Sequence, residues 1–456
     1  MFEEKTIAAI ATAQSAGGIG VIRVSGSKAT EICDRVFSGI SQKKLSDSVG
    51  YRAYFGKVSD GGKDIDECVA TVFRAPHSYT GEDVVEISCH GGLFVLKKAL
   101  RAVFEAGATP ASAGEFTQRA FLNGKIDLTQ AQAVMDLINA HGEQSADAAL
   151  ATLEGALSSE IKGVASGLIS ASASLGAWVD YPDEDIEELK QDVLLDTLEK
   201  SKKKLEKLIN GFDAGKTIMH GVNAVIVGKP NVGKSTLMNL LSGAQKSIVS
   251  QYAGTTRDAV ENTVTLGGIV LHLTDTAGIR ESDNPVESIG VEIARKKLDL
   301  ATLVLAVFDS SEDLTREDFE LLESCKGKIC IAVINKCDLD AKNTRSEIEK
   351  YVENVVEISA KTGEGKDELA KCVANVLGTD KIDASSAILS DERQFYCTKE
   401  ALKCVDEAID ALNCGVTLDA VNVMIDSAVN FLQSLTGEKA GESVVNEIFS
   451  RFCVGK

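Results

Sequence analysis

The segment that most constrains this chain is residues 228–235, which read Gly-Lys-Pro-Asn-Val-Gly-Lys-Ser. A short apolar run, residues 224–227, precedes it, and a helical pattern with Leu237 and Leu241 on its apolar face follows. In a strand–loop–helix setting, GxxxxGKS surrounds phosphates with backbone N–H groups, its lysine reaches the β- and γ-phosphates, and its serine ligates magnesium. The alternative is a glycine turn that carries Lys-Ser by chance. We predict a nucleotide site containing Asn231, Val232, Gly233, Lys234, Ser235 and Thr236, with Lys234 catalytic and Ser235 on Mg²⁺.

Three further short motifs each follow a predicted strand. They are Asp275-Thr276-Ala277-Gly278, Asn335-Lys336-Cys337-Asp338 and Ser359-Ala360-Lys361. The first places a carboxylate near magnesium, the aspartate of the second can accept from guanine N1–H and the 2-amino group, and the third frames the base with backbone amides. Each alone fits an ordinary strand-end turn. Because open α/β sheets bind ligands at the carboxyl ends of their strands, the ordered set predicts GTP as the nucleotide.

The predicted elements divide the chain into several domains. Short β-branched runs and helical patterns predict an α+β domain over residues 1–120, and Ala-, Leu- and Glu-rich helical spacing predicts a helical domain from 121 to 217. Strands alternate with helices from 218 to 379, which is typical of a doubly wound, mostly parallel sheet. Residues 380–456 are helical again. We therefore expect a Ras-like P-loop GTPase domain inserted between two parts of one all-α domain.

Composition limits the classes of function. The 456 residues carry 48 Lys plus Arg against 68 Asp plus Glu, a formal charge of −20. This balance argues against binding of nucleic acid by bulk positive charge. The run from Lys200 to Lys207 could face tRNA. However, the spacing of Leu205 and Leu208 indicates an amphipathic helix whose lysines form the solvent-exposed face. The eleven cysteines are scattered along the chain, which predicts reduced thiols. The N-terminus is acidic and no apolar stretch is long enough to span a membrane, so we expect a cytoplasmic protein without membrane contact.

Residues 253–258, which precede a strand predicted over residues 259–266, suggest a nucleotide-sensing switch. Thr256 is a natural switch threonine, whose hydroxyl would complete the magnesium shell while the γ-phosphate is present. Ile279 stands where Ras-type GTPases place a water-orienting glutamine, so water must be positioned differently. Glu281 and Glu287 are the nearest acidic candidates downstream, although Asn284-Pro285-Val286-Glu287 also has the pattern of a helix start. The residues alone favour the helix-start role for Glu287.

The GTPase segment resembles the TrmE-Era-Era-like GTPases, and the flanking segments resemble the MnmE family of tRNA uridine-modification GTPases. The similarity lies in residues 17–23, 79–92, 114–128 and 452–456. It implies a homodimer formed through the N-terminal domain and a flavin-dependent MnmG-type partner, assembled as a heterotetramer or larger. Such a complex would install a carboxymethylaminomethyl-type group at C5 of wobble uridine 34 of certain tRNAs. The one-carbon donor would be 5-formyl- or 5,10-methylene-tetrahydrofolate.

The resemblance also assigns residues. It implies that Asn231, Ser250, Tyr252 and Thr255 hold K⁺, and that Glu287 orients the attacking water as a catalytic residue together with Lys234 and Thr256. A fixed cation can supply the charge that an arginine finger supplies elsewhere. It extends the GTP site to Ser250, Gln251, Tyr252, Ala253, Gly254, Thr255 and Thr256. Folate would contact Arg23, Glu86, Lys125 and Lys456, which by themselves are consistent with strand or turn charges.

Two other functions compete with tRNA modification. A ribosome-assembly or translation-associated GTPase switch would share the nucleotide motifs but would have no reason to bind a pterin. A folate enzyme with GTP as a structural ligand would need no hydrolysis. The predicted folate residues and the effect of Lys234 substitution separate these possibilities.

Overall fold

The computed structural model describes residues 5–180, 191–243, 263–275, 298–340, 342 and 344–456. The chain divides into two compact units, Met1–Met135 with Val429–Lys456, and Asp136–Ala428. Labels below number the described strands and helices in chain order.

The first unit is built on a seven-stranded sheet with the order β3-β4-β5-β6-β2-β1-β7. Its strands are β1 Ile7–Ile10, β2 Ile19–Ser25, β3 Phe37–Gly39, β4 Arg52–Asp60, β5 Lys63–Phe73, β6 Val84–His90 and β7 Thr109–Pro110. Helices α1 (Ala29–Val36) and α2 (Leu93–Glu105) pack against it and bury a continuous apolar core. Alternation explains the burial, because Cys68, Ala70 and Val72 of β5 are buried while Val69 is exposed. This is the α+β fold that the sequence predicts.

Short helices complete the first unit. They are α3 Glu115–Leu122, the start of α4 Leu128–Ile138, the end of α14 Leu418–Thr436, and α15 Glu442–Ser450. Leu128, Phe449 and Phe452 lie in one small apolar cluster between them. After α15, Val454 forms a bridge to Ala113. The last residues are therefore held beside the start of α3 rather than left free.

The second unit contains a six-stranded sheet with the order β13-β12-β11-β8-β10-β9. The strands are β8 Val222–Val227, β9 Thr263–Leu266, β10 Ile269–Asp275, β11 Leu303–Asp309, β12 Ile329–Asn335 and β13 Asn354–Glu357. The pairing is parallel apart from β9, which runs antiparallel to β10. Its helices are α9 Lys234–Ser242, α10 Arg316–Ser324, α11 Arg345–Ile348 and α12 Lys366–Val376. Apolar cores on both faces confirm the doubly wound architecture.

Helices before and after this sheet form the all-α part of the second unit. They are α5 Glu143–Leu153, α6 Ala156–Asp180, α7 Gln191–Asn210, α8 Phe212–His220 and α13 Glu392–Asn413, with the remaining parts of α4 and α14. The α/β unit is inserted between α8 and α13, as predicted. In α7, the leucines Leu205 and Leu208 are buried, whereas Lys200, Lys202 and Lys204 pair with nearby carboxylates. Three of the five lysines in this run are thus paired with carboxylates on the helix surface.

Within the described residues, no helix has the length and apolarity needed to cross a membrane.

Candidate functional site

The phosphate-binding loop (residues 228–235) connects β8 to α9 and depends on two glycines. Gly228 has φ +151° and Gly233 has φ +96°. A Cβ at Gly228 would overlap the Val307 carbonyl, and one at Gly233 would overlap the amide of Asn335. The backbone therefore needs glycine at both positions for conformation and for space. This geometry leads directly into the N-terminus of α9, where unpaired N–H groups favour anions.

Lys234, the first residue of α9, is held within the loop. Its Nζ donates to the carbonyls of Gly228 at 2.8 Å and Lys229 at 2.6 Å. Ser235 and Thr236 are in the first turn of α9, and Val232 is buried in the sheet core. The loop thus presents the ammonium group and the Ser235 hydroxyl at the same helix end, a combination suited to a phosphate chain with Mg²⁺.

Asn335 joins the phosphate-binding loop to the loop that contains Ala360. Its Nδ2 donates to the Val232 carbonyl at 2.8 Å, and its Oδ1 accepts from the Ala360 N–H at 2.9 Å. Asn335 is 2% exposed, at the end of β12. One amide side chain therefore fixes the spacing between two segments that the sequence assigns to opposite ends of the nucleotide.

The predicted base-binding end lies at the ends of β12 and β13. The Asp338 carboxylate is exposed and accepts from Ser359 Oγ at 2.7 Å, which lowers the pKa of that carboxyl. Ser359 is buried, whereas Lys361 is exposed. The aspartate is thus ionised and oriented, as a group that accepts from guanine must be.

Lys336 has a partner that sequence reasoning did not find. It has φ +68°, and its Nζ lies 2.5 Å from Asp309 Oδ2 at the end of β11. Its carbonyl accepts from Ser310 Oγ at 2.8 Å. Asp309 is the last residue of the buried strand β11, and a carboxylate at that strand end is the one sequence signal that could have identified it.

Several predicted residues lie outside the described part of the chain. These are Ser250, Gln251, Tyr252, Ala253, Gly254, Thr255, Thr256, Thr276, Ala277, Gly278 and Glu287. Asp275 is described only as the last residue of β10, where it lies opposite Ile226 of β8. Their roles with Mg²⁺, K⁺ and water remain predictions.

A second cluster of predicted residues lies in the first unit. Arg23 on β2 and Glu86 on β6 are register partners, with Arg23 Nε 2.9 Å from Glu86 Oε1. The Arg23 guanidinium also lies 5.0 Å from the Tyr79 ring centroid and 5.6 Å from that of Phe116. Its Nη1 donates to the Gly455 carbonyl at 3.4 Å. Tyr79 and Phe116 were not predicted as members of this cluster, because only the fold brings them to Arg23.

Lys456 belongs electrostatically to the same cluster. Burial lowers the pKa of its ammonium group, the nearby Arg23 lowers it further, and Glu86 raises it. Lys125 is exposed and donates to the Pro76 carbonyl at 3.0 Å. The structure therefore brings Arg23, Glu86 and Lys456 together, and it places Lys125 against the segment that leads to Tyr79.

Solved structures similar to this chain include GTPase domains. A variant of Aquifex aeolicus Era bound to GDP and AlF4⁻ is 32% identical, with a TM-score of 0.29, and the match covers 40% of this chain and 66% of the Era chain. The G domain of the T. maritima FeoB iron transporter is 30% identical, with a TM-score of 0.26, and the match covers 34% of this chain and 98% of the FeoB chain.

Family models and full-length relatives identify the chain more fully. The model described as GTP-binding protein TrmE N-terminus matches residues 6–125, and the MnmE helical domain matches residues 128–453. The tRNA modification GTPase MnmE of Acetivibrio thermocellus is 41% identical over 461 residues, and that of Clostridioides difficile is 39% identical over 459; each pair is covered completely. With its GTP-binding motifs at the ends of the strands, this chain belongs to the MnmE family of tRNA modification GTPases.

Proposed function

We propose that this GTPase acts in the cytoplasm in a potassium-stimulated cycle that drives modification of wobble uridine 34 at C5 in certain tRNAs. With a flavin-dependent MnmG-type partner, it would add a carboxymethylaminomethyl-type group, using 5-formyl- or 5,10-methylene-tetrahydrofolate as the one-carbon donor. The observation that carries this proposal is the likeness to tRNA modification GTPases along the entire chain. It covers the first unit, with its charged cluster, as well as the GTPase domain.

The nucleotide site supports the hydrolytic half of the proposal. Lys234 and the N-terminus of α9 would bind the phosphates, and Asp338 would select guanine over adenine. Mg²⁺, held by Ser235 and Thr256, would neutralise charge on the phosphates.

Asn231 supports the proposed cation site. It is exposed in the phosphate-binding loop with φ +64°, a left-handed conformation that is uncommon outside glycine and that asparagine tolerates. Such a strained, exposed residue is typical of a functional loop. Asn231, Ser250, Tyr252 and Thr255 would hold K⁺ beside the phosphates, while Glu287 would orient water. Turnover in potassium chloride should exceed turnover in sodium chloride about 100-fold or more, the range found when one charge-stabilising group is removed. Equal rates in the two salts would remove the cation from the proposal.

The charge of the N-terminal cluster supports the folate half. Arg23, Lys125 and Lys456 provide cationic groups for the glutamate carboxylates of a tetrahydrofolate, and Glu86 provides an acceptor for pterin N–H groups. Labelled 5-formyl-tetrahydrofolate should bind the native protein and lose affinity on Lys125→Ala. Lys97→Ala, at an exposed position of α2, is the control and should bind normally. Equal binding by the two variants would argue against Lys125 as a ligand.

Exposed apolar side chains support the homodimer. Phe55 and Val69 lie opposite each other on β4 and β5 and are 53% and 36% exposed, and Ile40, in the turn that follows β3, is 74% exposed. Side chains of this kind on a sheet face mark an interaction surface, and a second copy of the N-terminal domain is the occupant we propose. Light scattering should give the mass of a dimer for the native chain and of a monomer for Phe55→Lys. If Phe55→Lys still has the mass of a dimer, the dimer interface does not include this side chain.

The overall proposal is tested by mass spectrometry of tRNA from cells that lack this protein. We expect wobble uridines to lose the carboxymethylaminomethyl-type group and to regain it when the native gene is restored. Unchanged uridines, with accumulated ribosomal subunits, would favour the ribosome-assembly switch instead.

A further inference from the structure

Lys229 occupies a position that the GxxxxGKS pattern leaves open. Its side chain leaves the phosphate-binding loop and reaches the N-terminus of α10. There, Lys229 Nζ lies 2.6 Å from Asp318 Oδ2 and 2.9 Å from Thr315 Oγ1. The Lys229 side chain is 17% exposed and that of Asp318 is 3% exposed. This is a nearly buried ion pair between the loop and a helix of the sheet's other layer.

Asp318 is also the N3 residue of the capping box of α10, whose N-cap is Thr315. Its Oδ2 accepts from the Thr315 N–H at 2.8 Å and from Thr315 Oγ1 at 3.0 Å, which completes a capping box. A carboxylate removed from water in this way is stable only with good partners, and the ammonium group of Lys229 is the cation that the structure gives it. Loss of Lys229 would leave a buried charge without its counterion, which is a strongly destabilising change.

The backbone of Lys229 faces the nucleotide site. Its carbonyl accepts from Lys234 Nζ at 2.6 Å, next to Gly228. One residue thus connects the phosphate-binding lysine to α10 through a single carbonyl and a single side chain. On the other flank, Asn335 holds the loop through the Val232 carbonyl. The loop is therefore fixed from two sides, by β12 and by α10.

We propose that Lys229 is a positioning residue for GTP hydrolysis, because its ion pair with Asp318 holds the phosphate-binding loop in the conformation that receives guanine nucleotides. The Lys229–Asp318 ion pair supports binding of the phosphate chain equally in the ground state and in the transition state. Its loss should therefore raise KM more than it lowers kcat. The inference concerns the GTPase activity itself and is independent of the tRNA and folate chemistry.

The test separates positioning from stability with paired variants of the full chain. Lys229→Met should lower the melting temperature and raise KM for GTP about 10-fold, with kcat within about 3-fold of the native value. In Lys229→Met/Asp318→Asn, the buried charge is gone and the amide oxygen can still cap α10. The double variant should therefore regain the melting temperature but keep the raised KM.

Two further variants complete the design. Lys229→Arg keeps the charge and should return KM to within about 3-fold of the native value. Lys342→Met, which breaks an exposed ion pair with Asp313, should leave both KM and melting temperature unchanged. A native KM in Lys229→Met, or recovery of KM together with stability in the double variant, would overturn the proposal. Where Lys229→Met fails to fold, the KM of the double variant decides alone.

Discussion

Replacement of Asn335 by alanine removes the amide that joins the two nucleotide-binding segments. Two buried backbone groups then lose their hydrogen-bond partner. The Val232 carbonyl accepts from the amide at 2.8 Å, and the Ala360 N–H donates to it at 2.9 Å. Val232 is 2% and Ala360 is 6% exposed, so water replaces the amide poorly. An unsatisfied buried polar group costs about 1–3 kcal/mol, and the pair therefore costs about 2–6 kcal/mol. This is a large part of the about 5–15 kcal/mol that stabilises a typical protein.

Calorimetry of the nucleotide-free protein measures the loss. A change of about 1 kcal/mol moves the melting temperature of a 150–250-residue domain by about 2–4 °C, so the transition of the α/β unit should fall by at least about 4 °C. Affinity for GDP, measured by fluorescence titration, should fall as well, because the phosphate and base segments lose their shared support. Asn223→Ala is the control, since that side chain is exposed on β8. A melting temperature and a GDP affinity equal to those of the control would refute the reasoning.

Three other substitutions test different parts of the second unit. Asp338→Asn should shift nucleotide preference from GTP toward XTP, because the oxygen that would accept from the guanine 2-amino group becomes an amide NH2, which can donate to the 2-oxo group of xanthine; competition binding measures the shift, and an unchanged preference would contradict the assignment. Gly221→Ala should destabilise the unit by at least about 1 kcal/mol in urea unfolding, since φ is +70° and a Cβ would overlap the Val270 carbonyl; native stability would show that the backbone tolerates a side chain there. Burial raises the pKa of Asp136 to about 6, although His220 lowers it. The folded protein therefore keeps a proton on this carboxyl that the unfolded chain has already released, and the stability gained in this way is lost as the pH rises through about 6. Asp136→Asn should flatten the fall in melting temperature between about pH 4 and pH 6, and an unchanged slope would exclude this carboxyl as the cause.

The sheet strands and the phosphate-binding loop were predictable because they depend on local patterns. An apolar run before GxxxxGKS predicted β8, and leucine spacing predicted α9. Strands β11 and β12 are buried on both faces, so their sequences are continuous apolar runs that can be recognised locally. These elements agree with the structure to within a few residues.

The remaining contacts depend on partners that are distant in sequence. The ion pair between Lys229 and Asp318 could not be predicted from the sequence, because the pattern around Asp318 is already explained by an ordinary capping box. Arg23 appeared to be a solvated strand charge, and only the pairing of β2 with β6 sets it against Glu86. Tyr79 joins Arg23 through a loop whose path local patterns do not specify. Sequence reasoning therefore found the nucleotide motifs, whereas the supports that hold them required the fold.

The central claim is that GTP turnover by this chain drives tRNA modification. The most direct measurement is mass spectrometry of wobble uridine in cells that lack the native gene and express either the native chain or Lys234→Ala at equal levels. The account predicts full modification with the native chain and unmodified C5 with Lys234→Ala. Normal modification with the variant, in a protein shown to have lost GTP hydrolysis, would contradict it and would favour a folate enzyme that uses GTP only as a structural ligand.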